Sequence, residues 1–344
     1  MLINRWKIGF LAVILAALSL QGCQNSTESN DPENGAKAKT ERKNLECIAP
    51  AKPGGGFDLT CRLVANALLG SKLISTPMQV KYMPGGIGAV AYNHVIGMRD
   101  RDENVIVAAS TGSALNLAQG KFGEYDENAV RWLAALGADY GIIVVRADSP
   151  WENLEDLMRS LRENPNSVVF GAAGSIGSQD WMKAALLAKA AGVDSKKMRF
   201  VSYEGGGEAL ISVLGGQTSV CPCDLSEMKG QLESGKYKIL AVLSESRLSG
   251  QFSQYPTAKE QGYDVTWAVW RGYYLPPNIS EADYQWWVDK MQELVETEAF
   301  KKELSDRGLF PYAKIGSEYE EIVKKQVQQF RNSVKKFGLN PDDT

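Results

Sequence analysis

Short aliphatic runs alternate along the chain with stretches whose apolar positions recur every three or four residues, a pattern that predicts strands followed by helices. Leu45 to Ala49 reads as a buried strand, followed by a helix from Asp58 to Leu69 with Asp58 as its N-cap and Gly70 just past its end. The unit repeats: Met78 to Met83 leads into Ile87 to Met98, and Asn104 to Ala109 leads into helical character through Gln119. The long apolar stretch from Leu133 to Arg146 is a candidate crossing into a second lobe. Ser149 as N-cap, with Pro150 at the first helical position, opens the next helix. Ser167 to Phe170, Met198 to Tyr203, Thr218 to Cys223 and Tyr237 to Leu243 are the expected strands of that lobe. Val265 to Leu275 returns the chain, and Ser280 and Ser317 cap two terminal helices.

This order argues for an α/β class, with parallel sheets and crossover helices. The body after residue 44 is long enough for two cores. The expected division is 45–140 with 246–344 as one lobe and 141–245 as the other, joined by two crossing strands that form a hinge beside a cleft.

The first residues set the compartment. Arg5 and Lys7 precede an apolar run from Ile8 to Leu20 that polar Gln21 interrupts, too short for the roughly 20 residues of a membrane span. Residues 1–22 therefore read as a secretory signal, and Leu20-Gln21-Gly22-Cys23 matches a bacterial lipoprotein cleavage site with Cys23 as the lipidated residue. Gln24 to Asn44 holds no large aliphatic or aromatic residue, so 23–44 is expected as a flexible tether with an end-to-end distance of about 25 Å. The protein is expected to be an extracytoplasmic lipoprotein anchored on the periplasmic side.

Net charge is −3, with both signs interspersed, which offers no basic face for nucleic acid. Four cysteines follow Cys23, and in an oxidising compartment they point to disulfides. Cys47 and Cys61 are one candidate pair; Cys221 and Cys223, as Cys-Pro-Cys, are too close for an unstrained bridge to be assumed. His94 is the sole histidine and no Cys-x-x-Cys occurs, which disfavours zinc. His94 lies within a predicted helix, and Ser175 lacks the Gly-x-Ser-x-Gly frame of a nucleophile elbow, so no catalytic machinery is visible.

The informative motifs are five glycine- or serine-rich turns where strands end and helices begin. They are Pro53-Gly54-Gly55-Gly56-Phe57-Asp58, Pro84-Gly85-Gly86-Ile87-Gly88, Ser110-Thr111-Gly112-Ser113, Gly174-Ser175-Ile176-Gly177-Ser178 and Tyr203-Glu204-Gly205-Gly206-Gly207. In open α/β sheets such turns line one crevice, where bare N–H groups and helix N-termini favour an anion. No Gly-x-x-x-x-Gly-Lys-Ser/Thr is present, which disfavours a nucleotide. The candidate ligand residues are Pro53, Gly54, Gly55, Gly56, Phe57, Gly86, Ser110, Thr111, Ser113, Gly174, Ser175, Gly177, Ser178, Tyr203, Asp224 and Arg271. Arg271 is either a bidentate carboxylate ligand or a surface salt bridge; Asp58 and Arg62, four apart, are expected to pair with each other.

On these motifs, over nearly all of Leu45 to Leu339, the chain resembles the extracytoplasmic receptors of tripartite tricarboxylate transporters, the Bug-type solute-binding proteins. The resemblance rests on the run Cys47 to Arg62, on Pro84-Gly85-Gly86-Ile87-Gly88-Ala89, and on Tyr203-Glu204-Gly205-Gly206-Gly207 with Leu214-Gly215-Gly216-Gln217. It implies a two-lobed periplasmic-binding fold, type II-like, whose loops hold a small carboxylate partly through water, with no cofactor. It also implies delivery to a two-component membrane permease driven by an ion gradient; the protein is expected to be a monomer, for which the sequence carries no signature. Many relatives carry a histidine after the Gly-Ser loop where this chain has Gln179 and Asp180, and many are not lipidated. Citrate or a related tricarboxylate is the leading expectation. A dicarboxylate, an acidic amino acid or an aromatic acid fits the same cradle, and a ligand sensor feeding a signalling partner is the alternative role.

Overall fold

The computed structural model describes residues 42–339. Lipidation at Cys23, the signal segment and most of the tether lie outside the described residues.

The chain enters through β1 (Glu46–Ala49), α1 (Gly56–Gly70), β2 (Gln79–Tyr82), α2 (Ala89–Met98), β3 (Val105–Ser110), α3 (Thr111–Ala118) and β4 (Arg131–Tyr140). It then builds β5 (Ile142–Arg146), α4 (Leu154–Glu163), β6 (Val169–Ala173), α5 (Gln179–Ala190), β7 (Arg199–Tyr203), α6 (Gly206–Leu214), β8 (Val220–Cys221), α7 (Leu225–Leu232) and β9 (Tyr237–Val242). It returns through β10 (Ala268–Leu275), α8 (Glu281–Val295), α9 (Glu298–Asp306), β11 (Phe310–Ile315) and α10 (Ser317–Val334).

Two sheets result: β11-β4-β10-β3-β1-β2 in the first lobe and β7-β6-β8-β5-β9 in the second. Both are mixed, a correction to the parallel sheets expected. β1 pairs β2 and β3 in parallel, whereas β10 runs antiparallel to β3 and β4, and β11 antiparallel to β4, because β10 and β11 follow the chain's return from the other lobe. Alternation along each strand feeds two cores per sheet. Ile106 and Ala108 face α1 and α8, while Val105, Val107 and Ala109 face Tyr92, Trp132 and α10. Ile143, Val145 and Phe170 pack on α4 and α5, and Ile142, Val144 and Cys221 pack on α6 and α7.

The expected crossing at 133–146 is two strands that part at Gly141. A Cβ at Gly141 would stand 2.7 Å from Lys183 Cδ, so a side chain has no room there. Gly141, Leu243 and Trp267 tie the crossing segments together: Gly141 N donates to Trp267 O at 2.9 Å, Leu243 N to Gly141 O at 2.8 Å and Trp267 N to Leu243 O at 2.8 Å. Ala258, Tyr263, Val265 and Trp267 join the second lobe's core, and so do Val334 and, at its margin, Phe330, Phe337 and Leu339 at the end of the chain.

Helix starts differ from expectation in three places. Gly55, not Asp58, is the N-cap of α1; Asp58 sits in the first turn and reaches back to accept the Gly54 N–H at 2.8 Å. α4 is capped by Asn153, whose side chain accepts from Asp156 N, rather than by Ser149, and leaves Pro150 in the preceding loop. Gly316 precedes α10, so Ser317 is its first residue, while Ser280 caps α8 as expected. Among the described residues no helix is long and apolar enough to cross a membrane.

Candidate functional site

Each of the five turns contributes to one cleft. An inner chamber of about 40 Å³ is lined by Gly55, Gly56 and Phe57, by Ile87, by Ser110 and Gly112, by Ser178 to Asp180, and by Glu204 to Gly206, with Glu227 and Arg271 at its floor. It adjoins an outer chamber of about 330 Å³ that shares Ile87, Asn116, Ser178 and Glu204 and adds Gly86, Lys121, Gly174, Ser175, Ser202 and Tyr203.

The cleft is closed by contacts between lobes. Glu227 Oε1 accepts the Gly56 N–H at 2.8 Å, Gln119 Nε2 donates to Gly177 O at 2.7 Å, and Lys52 pairs with Glu208 at 2.7 Å. A Cβ on Gly55 would lie 3.7 Å from the Gly205 Cα, so two turns meet backbone to backbone. Gly206 also needs its missing side chain, because a Cβ there would collide with the Glu227 carboxyl.

Beneath the cleft lies a buried charge network. Arg271 is 2% exposed, and its Nη2 donates to Asp139 Oδ2 at 2.5 Å and to Asp224 Oδ2 at 2.7 Å. Arg271 is therefore neither a surface salt bridge nor a free guanidinium. Lys183, fully buried, lies 2.5 Å from Asp224 Oδ1 and 2.7 Å from Asp180 Oδ1. Gln179 Nε2 donates to Asp224 at 2.9 Å, and Ser226 Oγ donates to Asp139 at 2.6 Å. Burial alone would raise Asp224, but Lys183 and Arg271 outweigh it and hold that carboxyl below its ordinary range. Burial dominates at Asp180, raising it against the pull of Lys183. Burial, reinforced by Asp224 and Asp180, pushes Glu227 up to about 8. Glu227 is thus a protonated acid near neutrality, while Asp224 is a carboxylate.

The expected ligand residues separate into two groups. Gly55, Gly56, Phe57, Gly86, Ser110, Gly174, Ser175, Ser178, Tyr203 and Arg271 line the two chambers. Pro53 and Gly54 are exposed outside the chambers, and Thr111, Ser113, Gly177 and Asp224 are buried behind their lining. The Thr111 hydroxyl accepts the Trp270 N–H at 3.0 Å, Ser113 closes a capping box on Ser110, and Gly177 presents its carbonyl to Gln119. His94 lies on α2, away from both chambers. Among the described residues no cluster of His, Cys, Asp and Glu is arranged to hold a metal.

A family model described as the tripartite tricarboxylate transporter family receptor matches residues 122–339. The chain belongs to this receptor family. The receptor is 22% identical over 301 residues to the protein BugT of Bordetella pertussis, covering 86% of this chain and 89% of that one. Its fold matches MatC of Rhodopseudomonas palustris, solved with bound malate, at TM-score 0.72 and 18% identity over 84% of this chain and 98% of the other. A second R. palustris protein, solved with adipate, matches at TM-score 0.76 and 18% identity over 86% and 97%. The receptor thus has the two-lobed periplasmic-binding fold.

Sequence reasoning missed Asp139, Lys183, Glu227, Asn116 and Lys121. Asp139 is the one acid of β4, after a run of apolar residues from Trp132 to Ala138, and Lys183 interrupts a run of Trp, Met, Ala and Leu on α5. Both are signals of buried, paired charge. Glu227 stands three residues after Asp224, the spacing of the capping box that the two residues form on α7.

Proposed function

We propose that the receptor captures a small carboxylate between its lobes and delivers it to a two-component membrane permease driven by an ion gradient. The reading is carried by the convergence of turns from both lobes on one closed cleft. The malate and adipate held by proteins of the same fold support the ligand class. We propose 45–140 with 246–344 as one lobe and 141–245 as the other, with the segment 258–267 and the stretch from Phe330 to Leu339 packed on the second lobe's core, and propose a monomeric lipoprotein anchored through Cys23 on the periplasmic side. Its role is capture, without catalysis.

Charge around the inner chamber favours a ligand of low charge over citrate. Asp139, Asp180 and Asp224 already share Lys183 and Arg271 beneath the inner chamber, and Glu204 lines it, so a trianion there would meet no unpaired buried cation where desolvation is costly. A dicarboxylate such as malate or adipate is the better fit.

Thermal-shift screening of the 45–344 body against citrate, malate, adipate and glutamate, followed by calorimetry, tests the reading, because a ligand bound at a hundred times its Kd stabilises by about 2.7 kcal/mol. No stabilisation by any carboxylate overturns it. Anchoring is tested separately: Cys23→Ala should move the protein from the membrane to the soluble fraction, and unchanged fractionation removes that assignment.

A further inference from the structure

Lys121 follows α3 in the first lobe and reaches across the mouth of the cleft. Its ammonium donates to Ile176 O at 2.7 Å and lies 3.4 Å from Ser175 Oγ, both in the second lobe's Gly174–Ser178 turn. The side chain is half-buried, lines the outer chamber, and forms no salt bridge with any carboxylate among the described residues. Desolvation lowers its pKa to about 8. A carbonyl and a hydroxyl satisfy hydrogen bonds but not charge, so the ammonium is held where an anion would be strongly favoured.

The other end of the cleft gives the complementary picture. The inner chamber presents Glu204, the protonated Glu227 and an Asp180 already paired with Lys183, and the cation that lines it, Arg271, is bridged between Asp139 and Asp224. The Gly54 and Gly56 N–H groups of the first turn, where an anion would otherwise sit at the start of α1, are taken by Asp58 and Glu227. Two acceptors, Gln179 Oε1 and Glu204 Oε2, are buried without a partner. The inner chamber thus offers a ligand carboxylate no unpaired cation, whereas the outer chamber, which Glu204 also lines, offers Lys121.

We infer that Lys121 is the specificity-determining cation of the receptor: it pairs with a ligand carboxylate in the outer chamber and, through Ile176 and Ser175, locks the second lobe's turn over it. This rests on the reading of the cleft as a carboxylate site. The ligand's opposite end, directed at Gln179 and Glu204, is then uncharged or a hydrogen-bond donor. Closure and charge recognition are coupled in one side chain, because the ammonium reaches the turn and the ligand together only when the lobes meet.

The test uses calorimetric titration of the 45–344 body at pH 7 with malate, adipate and adipic acid monoamide, on wild type, Lys121→Met and Lys121→Arg. The expected result is at least a tenfold loss of affinity for the tightest binder in Lys121→Met, with most of it restored in Lys121→Arg. Adipic acid diamide, which carries no carboxylate, should bind weakly and equally to wild type and Lys121→Met. Affinity within twofold of wild type in Lys121→Met overturns the inference while leaving the cleft reading intact. An equal loss for the charged and the diamide ligands also overturns it, because it would reduce Lys121 to a latch. If the wild type binds none of the carboxylates, the cleft reading fails and the inference falls with it.

Discussion

Glu227 of the second lobe accepts the Gly56 N–H of the first at 2.8 Å, so a carboxyl group of the protein itself occupies the N-terminus of α1. The same carboxyl accepts the Asp224 N–H at 3.2 Å and fits against Gly206 only because that residue has no side chain. The helix start that the glycine run seemed to reserve for a ligand is an interlobe contact in this conformation.

This contact predicts a pH dependence. Glu227 is pushed up to about 8 from an ordinary 4.5, so the folded protein retains a proton that the unfolded chain gives up. Its contribution is fully present below about 4.5 and is lost as the pH rises through 8. Thermal unfolding midpoints should fall between pH 5 and pH 8.5, and Glu227→Gln, which keeps the shape without the titration, should flatten that slope. An identical slope in the variant would place the proton elsewhere.

Arg271 supports a second prediction. Arg271→Ala leaves Asp139 and Asp224 facing each other without their shared guanidinium, and breaking such a buried pair typically costs about 3–5 kcal/mol. Arg271→Lys should recover little, because one Nη2 serves both carboxylates while Nε makes a further 3.2 Å bond to Asp139. Urea unfolding of the three proteins measures the difference.

What the sequence disclosed follows from the range of the interactions. The Asp58–Arg62 pair, at 2.8 Å, and the Ser280 cap act within one helical turn, so their spacing is visible along the chain. The glycine turns were legible because each is a local strand-to-helix corner. The charge network was not, since Arg271 finds Asp139 and Asp224 from distant parts of the sequence and a buried charge looks like any other until its partner is known. β11 was missed for a different reason: Phe310 to Ile315 carries Pro311 and Lys314, poor strand residues that an edge position paired with β4 alone tolerates.

The first strand and first helix are joined by the Cys47–Cys61 disulfide, whose Cα atoms are 5.6 Å apart across a separation of 14 residues. Both cysteines are fully buried beneath the turn that lines the cleft. In the chain-entropy model a loop of this length stabilises by about 3 kcal/mol. Cys47→Ala/Cys61→Ala should lower the denaturation midpoint accordingly while leaving the double variant able to bind ligand at low denaturant. Mass spectrometry of an unreduced digest that finds both thiols free would remove the premise.

Gly55 and Gly205 offer the cleanest test of closure, because they face each other across the cleft and neither has a backbone that needs glycine. Gly55 has φ −86° and Gly205 φ −175°, both open to any residue. A Cβ on either only reaches ordinary contact, 3.7 Å from the Gly205 Cα for Gly55 and 3.9 Å from the Gly55 Cα for Gly205, so a side chain longer than a methyl that follows that direction has to part the turns. Gly55→Leu should therefore fold with near-normal stability yet hold the two turns apart by the width of a side chain. Small-angle scattering with and without a saturating carboxylate should show compaction in the wild type and little in Gly55→Leu, and calorimetry should show affinity weakened by more than tenfold. Gly205→Leu, approaching from the other lobe, should give the same pair of effects. Arg62→Ala is the control, since Arg62 pairs with Asp58 and Tyr82 outside both chambers and its loss should reduce stability without changing affinity. Normal affinity in both leucine variants would mean that the ligand does not require these turns to meet.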